Sequence, residues 1–474
     1  MESSTITVTT SFGAVRGLQR DDIAVFKGIR YASAERFGLP SPITSWEGEF
    51  DATSYGPQAP QLVGMMERAL GGSSLPSSED CLTLNVFTPS VEGGPARPVL
   101  VWIHGGAFTT GTGAMPWYDG SQLVRRGDVV VVTINYRLGA LGFSGRTNCG
   151  LADQVCALQW VQQMIGSFGG DPHDVTIFGE SAGGSSVVAL MAAPTAAPLF
   201  HRAFAMSPSI GQLRSGERAD EALAELLAEA GVTTLAELAD LPTEQVLAAQ
   251  DAMLKRNPGA GLTDFSPCEG SDLIPAPLLA AAAANPVPLV IGTTRDEMLL
   301  FTTFDPALAD LDEARLEALV AARLGERTQV ALERYRTVRP DASLVGLFGA
   351  VQTDVAFRVP ARRLADERVN AGNPTWMYWF TWASPAFHGR LGSCHAMDIP
   401  FAFHNLDRKG VPQFTGDGDD RIPVADAYSG AVLGLARSGA APWPAYDTTT
   451  RSTMVFDVSS GVVDDPEPEI RELW

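Results

Sequence analysis

Short apolar runs separated by helical stretches recur along the chain, and this rhythm predicts an α/β fold. Residues 99–103 and 129–134 are almost entirely apolar, which is typical of parallel strands that are covered on both faces. The other segments of strand character are residues 5–8, 23–26, 82–87, 175–178, 203–206, 289–291, 375–382 and 453–458. A helix over about 152–165 precedes the strand at 175–178. We therefore expect a large, mostly parallel sheet that is flanked by helices.

Two stretches interrupt this rhythm with helices alone. In residues 211–258, apolar side chains recur at helical spacing and the first helix ends at Gly231, a residue that favours helix termination. Residues 306–371 form the second helical stretch. Because the chain has no internal repeat, we predict one α/β domain over 1–474 that carries two helical insertions.

The charge balance excludes some classes of partner. The chain has 34 Lys and Arg against 55 Asp and Glu, which gives a net charge of −21. Nucleic acids and anionic membranes require a basic face. No run of eighteen apolar residues is present to cross a bilayer. We expect neither a nucleic-acid nor a membrane partner.

The N-terminus and the cysteines indicate a compartment. Residues 1–6 have neither the basic nor the apolar region of a signal peptide. The five cysteines are scattered and form no C-x-x-C motif: Cys81, Cys149, Cys156, Cys268 and Cys394. This pattern favours reduced thiols over disulfides or a zinc site. We expect a cytoplasmic protein without a metal.

A candidate nucleophile lies in the motif Gly179-Glu180-Ser181-Ala182-Gly183. A strand-like segment precedes the motif, and an apolar segment of helical character follows it. Strand, sharp G-x-S-x-G turn and helix together form a nucleophile elbow, in which glycines relieve the crowding around a strained serine. The sequence therefore predicts that Ser181 is an exposed nucleophile at the edge of the sheet.

A serine nucleophile also needs oxyanion donors. The glycine-containing segment 103–108 (IHGGAF) directly follows an apolar strand, so its backbone can turn N–H groups towards a substrate oxygen. We assign the oxyanion hole to the N–H groups of Gly106, Ala107 and Ala182. The last of these lies at a helix N-terminus, where the helix dipole contributes.

The base and the acid remain open on pattern alone. In α/β-hydrolases the chain order is serine, acid, histidine, and the segment after residues 289–291 offers both Asp296 and Glu297. Chain order excludes two histidines, and a third precedes any acid candidate. The histidines left as candidate bases are His388, His395 and His404. Cys394 directly precedes His395, and a thiol nucleophile would need a hydrogen bond to such a base. Side chains of adjacent residues on a loop rarely form that bond, so Cys394 is not expected to be the nucleophile.

Several motifs resemble the type-B carboxylesterase/cholinesterase family of α/β-hydrolases. Residues 168–172 (FGGDP) and 177–184 (IFGESAGG) are similar to its serine signature, and residues 79–86 (EDCLTLNV) to its second signature. The other matching segments are FKGIRYA at 26–32, NYR at 135–137, GF at 142–143, GL at 150–151 and WV at 160–161. The resemblance covers nearly the whole chain and implies an α/β-hydrolase fold with helical insertions over an active-site gorge.

The resemblance also implies roles for particular residues. The family's acid is the glutamate of a G-x-x-x-D-E element, which is Glu297 here, and its histidine precedes a stretch ending in Pro-Phe, which makes His395 the base. Ser207 lies where the family has a serine that supports the triad. Cys81 lies at the family's first disulfide position, but Ala59 occupies the partner position, so that disulfide is expected to be absent.

The expected activity is hydrolysis of carboxylic esters through an acyl-enzyme, without a cofactor, by a bacterial-type monomer. A G-G-A-x oxyanion segment resembles that of enzymes that accept esters of bulky alcohols. The predicted pocket walls are Phe108, Met298, Phe301 and the loop over 61–78. The alternatives are an amidase, a lactonase or an acyltransferase with the same triad. A non-enzymatic adhesion module is less favoured, because all three triad positions are kept.

Overall fold

A thirteen-stranded sheet organises the part of the chain that the computed structural model describes, which is residues 4–62, 75–91, 93–256 and 264–474. Its strands are β1 Ser4–Thr10, β2 Gly13–Arg20, β3 Ile23–Arg30, β6 Glu49–Asp51, β7 Thr83–Thr88, β8 Arg97–Ile103, β9 Val130–Ile134, β10 Gly170–Glu180, β11 Arg202–Met206, β12 Leu289–Thr294, β13 Thr375–Phe380, β14 Ser452–Phe456 and β15 Gly461–Asp464. A separate two-stranded sheet pairs β4 Ala32–Ser33 with β5 Ser41–Pro42.

The centre of the large sheet is parallel. Its strand order is β1-β2-β3-β7-β9-β8-β10-β11-β12-β13-β14-β15, with β6 pairing β2. The seven strands from β9 to β14 in this order are parallel to one another. The consecutive pairs from β1 to β9 and the pair β14–β15 are antiparallel, whereas β6 pairs β2 in parallel. The α/β-hydrolase fold and the mostly parallel sheet are therefore confirmed, and each predicted strand is present.

Helices connect and cover the strands. Their bounds are α1 Ser121–Gly127, α2 Gly139–Phe143, α3 Cys149–Met164, α4 Ala182–Ala192, α5 Gly216–Ala230, α6 Leu235–Ala239, α7 Thr243–Arg256, α8 Leu278–Ala284, α9 Leu299–Thr302, α10 Glu313–Leu324, α11 Thr328–Val338, α12 Leu344–Thr353, α13 Val359–Asn370, α14 Ile399–Ala402, α15 Val411–Thr415, α16 Arg421–Ser438 and α17 Pro468–Arg471. Both predicted helical stretches contain helices, and α5 ends at Gly231 in a left-handed conformation. Helix α16 was not predicted from the sequence, although its buried residues recur at helical spacing. None of the described helices is both long and apolar enough to cross a membrane.

Part of the sequence analysis falls on residues that the structure does not describe. The predicted pocket loop over 61–78 includes residues 63–74, and the first helical stretch includes residues 257 and 258. These positions lie outside the described residues. The prediction of a single domain over 1–474 stays a prediction.

Alternation along the central strands explains why they are apolar throughout. In β8, Val99, Val101 and Ile103 pack in the core on one face of the sheet, whereas Leu100 and Trp102 pack in the core on the other face. Successive side chains in a strand point to opposite faces. Because helices cover both faces, all five residues are fully buried.

A buried ion pair stabilises the loop structure beside the sheet. Arg137 donates to both carboxylate oxygens of Asp153, at 2.8 and 2.7 Å, and the Arg137 guanidinium also donates to the carbonyl of Gly38. Two residues after Arg137, the N–H of Gly139 donates to the carbonyl of Phe108 at 2.7 Å. The ion pair therefore fixes the segment that supports the glycine-containing loop after β8.

We predict that Asp153→Ala lowers the free energy of unfolding by about 3–5 kcal/mol, because it leaves the Arg137 charge buried and unpaired. Urea denaturation measures the change. The control is Asp220→Ala, which removes a carboxylate from the exposed ion pair with Arg146 and should change stability little. Equal effects of the two substitutions would contradict the structural importance of the buried pair.

Candidate active site

Ser181 lies between the end of β10 and the start of α4 in a strained backbone conformation. Its φ of 58° and ψ of −119° are unfavourable for a residue with a side chain. Its N–H donates to the carbonyl of Met206 on the neighbouring strand, at 2.9 Å. A Cβ on Gly183 would overlap the carbonyl of Ile103. Glycine at 183 therefore lets the turn approach the end of β8 and present the Ser181 hydroxyl at the edge of the sheet.

Three predicted side chains from distant parts of the chain meet at this edge. The Oγ of Ser181 is 2.8 Å from Nε2 of His395, and Nδ1 of His395 is 2.5 Å from Oε2 of Glu297. Glu297 is fully buried, and its other oxygen accepts the N–H of Thr294 at 2.7 Å. The hydroxyl, imidazole and carboxylate form the continuous hydrogen-bonded row that serine-dependent acyl transfer requires.

Backbone pairing holds the acid and the base beside each other. The N–H of Asp296 donates to the carbonyl of Ser393 at 2.9 Å, and the N–H of His395 donates to the carbonyl of Glu297 at 3.2 Å. The Asp296 carboxylate instead accepts from Arg295 and from the N–H of Ser393. Asp296 therefore stabilises the two loops, while Glu297 faces the imidazole.

The other candidate histidines have different surroundings. Nε2 of His404 is 2.9 Å from Asp426, in an exposed contact. His388 belongs to an irregular segment, Ala386–Gly389, where it has a φ of 60°. The alternative nucleophile Cys394 is buried, and burial raises the pKa of its thiol well above the usual value. A buried thiol with a raised pKa is a poor nucleophile.

The predicted oxyanion donors lie around the same edge. Gly106 has a φ of 110° and Ala107 a φ of 52°, so this loop has a left-handed backbone. Ala182 is the first residue of α4. Among the described residues, the N–H groups of Gly106, Ala107 and Ala182 have no hydrogen-bond acceptor. The three donors are therefore available for a ligand oxygen.

Two further carboxyl groups near the imidazole were not assigned a role by the sequence analysis. Oε1 of Glu180 is 3.2 Å from Nε2 of His395. Oδ2 of Asp398 accepts the hydroxyls of Tyr428 and Tyr378, at 2.8 and 3.1 Å. Glu180 precedes the candidate nucleophile, and Asp398 follows His395 by three residues. Both residues lie in motifs that were recognised from the sequence, but their contacts with the imidazole and the tyrosines could not be predicted from those motifs.

Burial and charge act in opposite directions on these groups. Burial alone would lower the pKa of His395, but the carboxylates of Glu180 and Glu297 raise it above the usual histidine value. Burial raises the pKa of Glu180. Burial and the charge of Glu297 also raise the pKa of Asp398, to about 7. The cluster thus favours a proton on the imidazole.

Aromatic rings flank the imidazole. The ring centroids of Phe357 and Phe301 are 4.9 and 5.5 Å from that of His395. Phe301 is a predicted pocket wall, whereas no sequence pattern distinguishes Phe357 from the other residues of its helical stretch. Met298 directly follows the acid and precedes α9. Phe108, also predicted as a wall, is fully buried with its ring 5.1 Å from that of Phe143, so its role in a pocket stays a prediction.

Ser207 is fully buried and has a φ of 43°. Its N–H donates to the carbonyl of Gly292 at 2.9 Å. Its hydroxyl has no hydrogen-bond partner among the described residues, so its support role also stays a prediction. Within the described ranges, no group of three or more His, Cys, Asp or Glu side chains could hold a metal ion.

Comparisons with known proteins identify chains that are similar to this one. The profile of the Carboxylesterase family matches residues 4–439. The chain is similar to the para-nitrobenzyl esterase of Bacillus subtilis (strain 168), with 36% identity over 98% of this chain and 97% of that protein. It is also similar to the phenmedipham hydrolase of Pseudarthrobacter oxydans, with 35% identity over 91% and 89% of the two chains. A crystal structure of a Geobacillus stearothermophilus carboxylesterase superposes with a TM-score of 0.86 at 36% identity and covers 99% of both chains.

We predict that Glu180→Gln shifts the acidic limb of the kcat/KM pH profile towards lower pH. The Glu180 carboxylate stabilises the protonated imidazole, so its loss lowers the pKa of His395, and the neutral base then persists at lower pH. A carboxylate at this distance changes a pKa by roughly one to three pH units.

A p-nitrophenyl ester assay across pH measures the shift. Asp426→Asn removes a carboxylate from His404 instead and should leave the limb in place. A limb that stays unchanged or moves to higher pH in Glu180→Gln would contradict the electrostatic role of this carboxylate.

Proposed function

Since the chain belongs to the carboxylesterase family and is a carboxylic ester hydrolase, we propose that it cleaves esters in two acyl-transfer steps at Ser181. His395 is the general base and Glu297 orients the imidazole. The observation that carries this proposal is the unbroken hydrogen-bonded row from the Ser181 hydroxyl through His395 to Glu297, at 2.8 and 2.5 Å.

In the first step, the Ser181 oxygen attacks the ester carbonyl and its proton moves to Nε2 of His395. The buried Glu297 carboxylate stabilises the imidazolium that forms. The oxyanion accepts from the N–H groups of Gly106, Ala107 and Ala182. When the intermediate collapses, the bond to the alcohol oxygen breaks and His395 protonates that oxygen.

In the second step, water takes the position that the alcohol has left. His395 removes a proton from the water, which attacks the acyl-enzyme carbonyl. Collapse of this second tetrahedral intermediate releases the carboxylic acid and returns the proton to Ser181. The same groups thus act twice, with the imidazole alternating between base and acid.

The substrates we propose are uncharged esters with apolar groups. Phe301 and Phe357 flank the imidazole, and Met298 lies next to the acid, so an apolar alcohol or acyl group would replace water at this surface. A net charge of −21 disfavours negatively charged substrates. The similar protein from B. subtilis is named for para-nitrobenzyl esters, which makes aryl and benzyl esters suitable probes.

We also propose that the enzyme acts as a monomer in the cytoplasm. All five cysteines are buried and free, which suits a reducing compartment. The three proposed triad residues come from one chain, so the chemistry needs no second copy.

We predict that Ser181→Ala lowers kcat for p-nitrophenyl acetate by at least about 10⁴-fold and abolishes labelling by a fluorophosphonate. The matched control is Ser186→Ala, five residues further along the chain, whose hydroxyl accepts from Gln154 at 3.0 Å. That variant should be labelled at full stoichiometry. If Ser181→Ala keeps its hydrolysis rate or its labelling, another nucleophile is used.

We predict that Gly106→Ala lowers kcat by about 10²–10³-fold, the usual effect of losing an oxyanion donor. A Cβ at this position would overlap the carbonyl of Thr110, and the alanine would have to adopt a φ of 110°. The loop must therefore shift. KM should change much less than kcat. Gly166→Ala is the control, because its Cβ would have no atom within 4 Å. A Gly106→Ala variant with the normal kcat would exclude this loop as the donor.

A further inference from the structure

A short π-helical turn carries one of the two rings that flank His395. This turn, Asp354–Arg358, lies between α12 and α13. Phe357 within it is buried, and its ring centroid is 4.9 Å from that of the His395 imidazole. Single π-helical turns are rare and are often found at functional sites. The contacts that hold this turn in place therefore affect the position of the His395 imidazole.

The last residue of the turn, Arg358, contacts the C-terminal segment, which comprises residues 465–474. One guanidinium nitrogen of Arg358 is 2.8 Å from the Glu467 carboxylate, and the other donates to the carbonyl of Pro466 at 2.9 Å. Glu467 also accepts from Arg339. The Arg358 guanidinium lies over the Trp379 ring, 3.9 Å from its centroid. One carboxylate, one backbone carbonyl and one aromatic ring thus fix the position of Arg358.

The first residue of the turn is fastened to the same segment. The buried carboxylate of Asp354 accepts the hydroxyl of Tyr335. The indole Nε1 of Trp474 donates to that hydroxyl at 3.3 Å. Arg363 donates to the backbone carbonyl oxygen of Trp474 at 3.2 Å. The final residue of the chain therefore supports Asp354 through one intervening side chain.

The backbone of the segment is strained where it makes these contacts. Glu467 has a φ of 57° and Asp465 a φ of 44°. Such a conformation is unfavourable for a residue with a side chain and persists only where its surroundings demand it. The segment also lies outside residues 4–439, to which the family profile extends.

We propose that Pro466, Glu467 and Trp474 form a C-terminal clamp that positions the catalytic base. The clamp holds both ends of the turn Asp354–Arg358, so that Phe357 packs against the imidazole of His395. These three are positioning residues, since they act through Phe357 and touch no reacting atom. The inference rests on the proposed role of His395.

The clamp is expected to affect the rate because it limits the orientations that the imidazole can adopt. Hydrogen bonds at its two nitrogens fix the direction of the ring, but they resist tilting about the line between those nitrogens only weakly. Phe357 and Phe301 supply the contacts that limit this tilt. Loosening the clamp would let Phe357 move and the imidazole turn away from the Ser181 hydroxyl. A displacement of about 1 Å at a reacting group costs about 10²-fold in rate.

The test uses Glu467→Gln, which keeps the shape of the side chain but removes its charge. We expect kcat for p-nitrophenyl acetate to fall by roughly 10- to 100-fold, with a much smaller change in KM. The matched control is Glu472→Gln, because Glu472 is in the same terminal segment but pairs with Arg334 at 3.3 Å, in an exposed contact. That variant should keep the normal kcat. Circular dichroism and the thermal midpoint show whether each variant is folded at the assay temperature.

A double-mutant cycle separates positioning from general destabilisation. Phe357→Ala should lower kcat by a similar factor, and Glu467→Gln in that background should add less than twofold, because both changes remove one contact. Trp474→Ala should also lower kcat, and Trp474→His, which keeps a ring N–H, should recover part of the loss.

Three results would overturn the inference: a normal kcat in Glu467→Gln, an equal loss in Glu472→Gln, or independent losses in the double mutant. The failure of the proposed function is distinct, since it would appear as hydrolysis that survives Ser181→Ala. If Ser181→Ala is inactive and Glu467→Gln is fully active, only the clamp is wrong.

Discussion

The main constraint on the site is the placement of one imidazole among three buried carboxyl groups. Glu180 and Glu297 contact His395 directly, and Asp398 lies three residues further along the chain. A buried carboxylate is costly unless it has a partner, and here the partner of two of them is the base itself. The cluster therefore favours the protonated imidazole of His395 over the neutral one. A carboxyl group that can share or hold a proton, as the raised pKa of Glu180 indicates, moderates this cost.

The parallel sheet explains how such distant residues come together. The loops that follow β8, β10, β12 and β13 all leave the same edge, because these strands are parallel. They carry, in turn, the proposed oxyanion donors, Ser181, Glu297 and His395. The serine turn is strained, since Ser181 must present its hydroxyl between β10 and the helix dipole of α4, and Ala107 and Ala396 in neighbouring loops also have a positive φ. The register of four strands and a few residues with left-handed backbone in the loops that follow them together determine the geometry.

The fold and the serine turn could be predicted because both follow from local patterns. Continuous apolar runs indicate buried strands, and the glycines at 179 and 183 indicate a close approach of backbone segments. The choice of Glu297 over Asp296 could not be made from local pattern, because it depends on the pairing of residues 295–297 with residues 393–395. Phe357 gave no signal at all. Its position depends on contacts with residues more than a hundred positions away, and periodicity cannot report such contacts.

Two buried arginines show how the helical stretches are fastened to this sheet. Arg214 donates to the carbonyls of Ser266, Asp264 and Phe143, which joins the first helical stretch to the segment beside the oxyanion loop. Arg368, at the end of α13, donates to the carbonyls of Ala282, Asn285 and Val287, just before β12. Burial lowers the pKa of both guanidiniums to about 10. Carbonyl dipoles replace the lost hydration of each guanidinium. Because each guanidinium donates to carbonyls from several backbone segments, it joins more segments than an ion pair with one carboxylate would. The second helical stretch is therefore anchored to the sheet at the end of α13, and the turn that carries Phe357 lies at the start of that same helix.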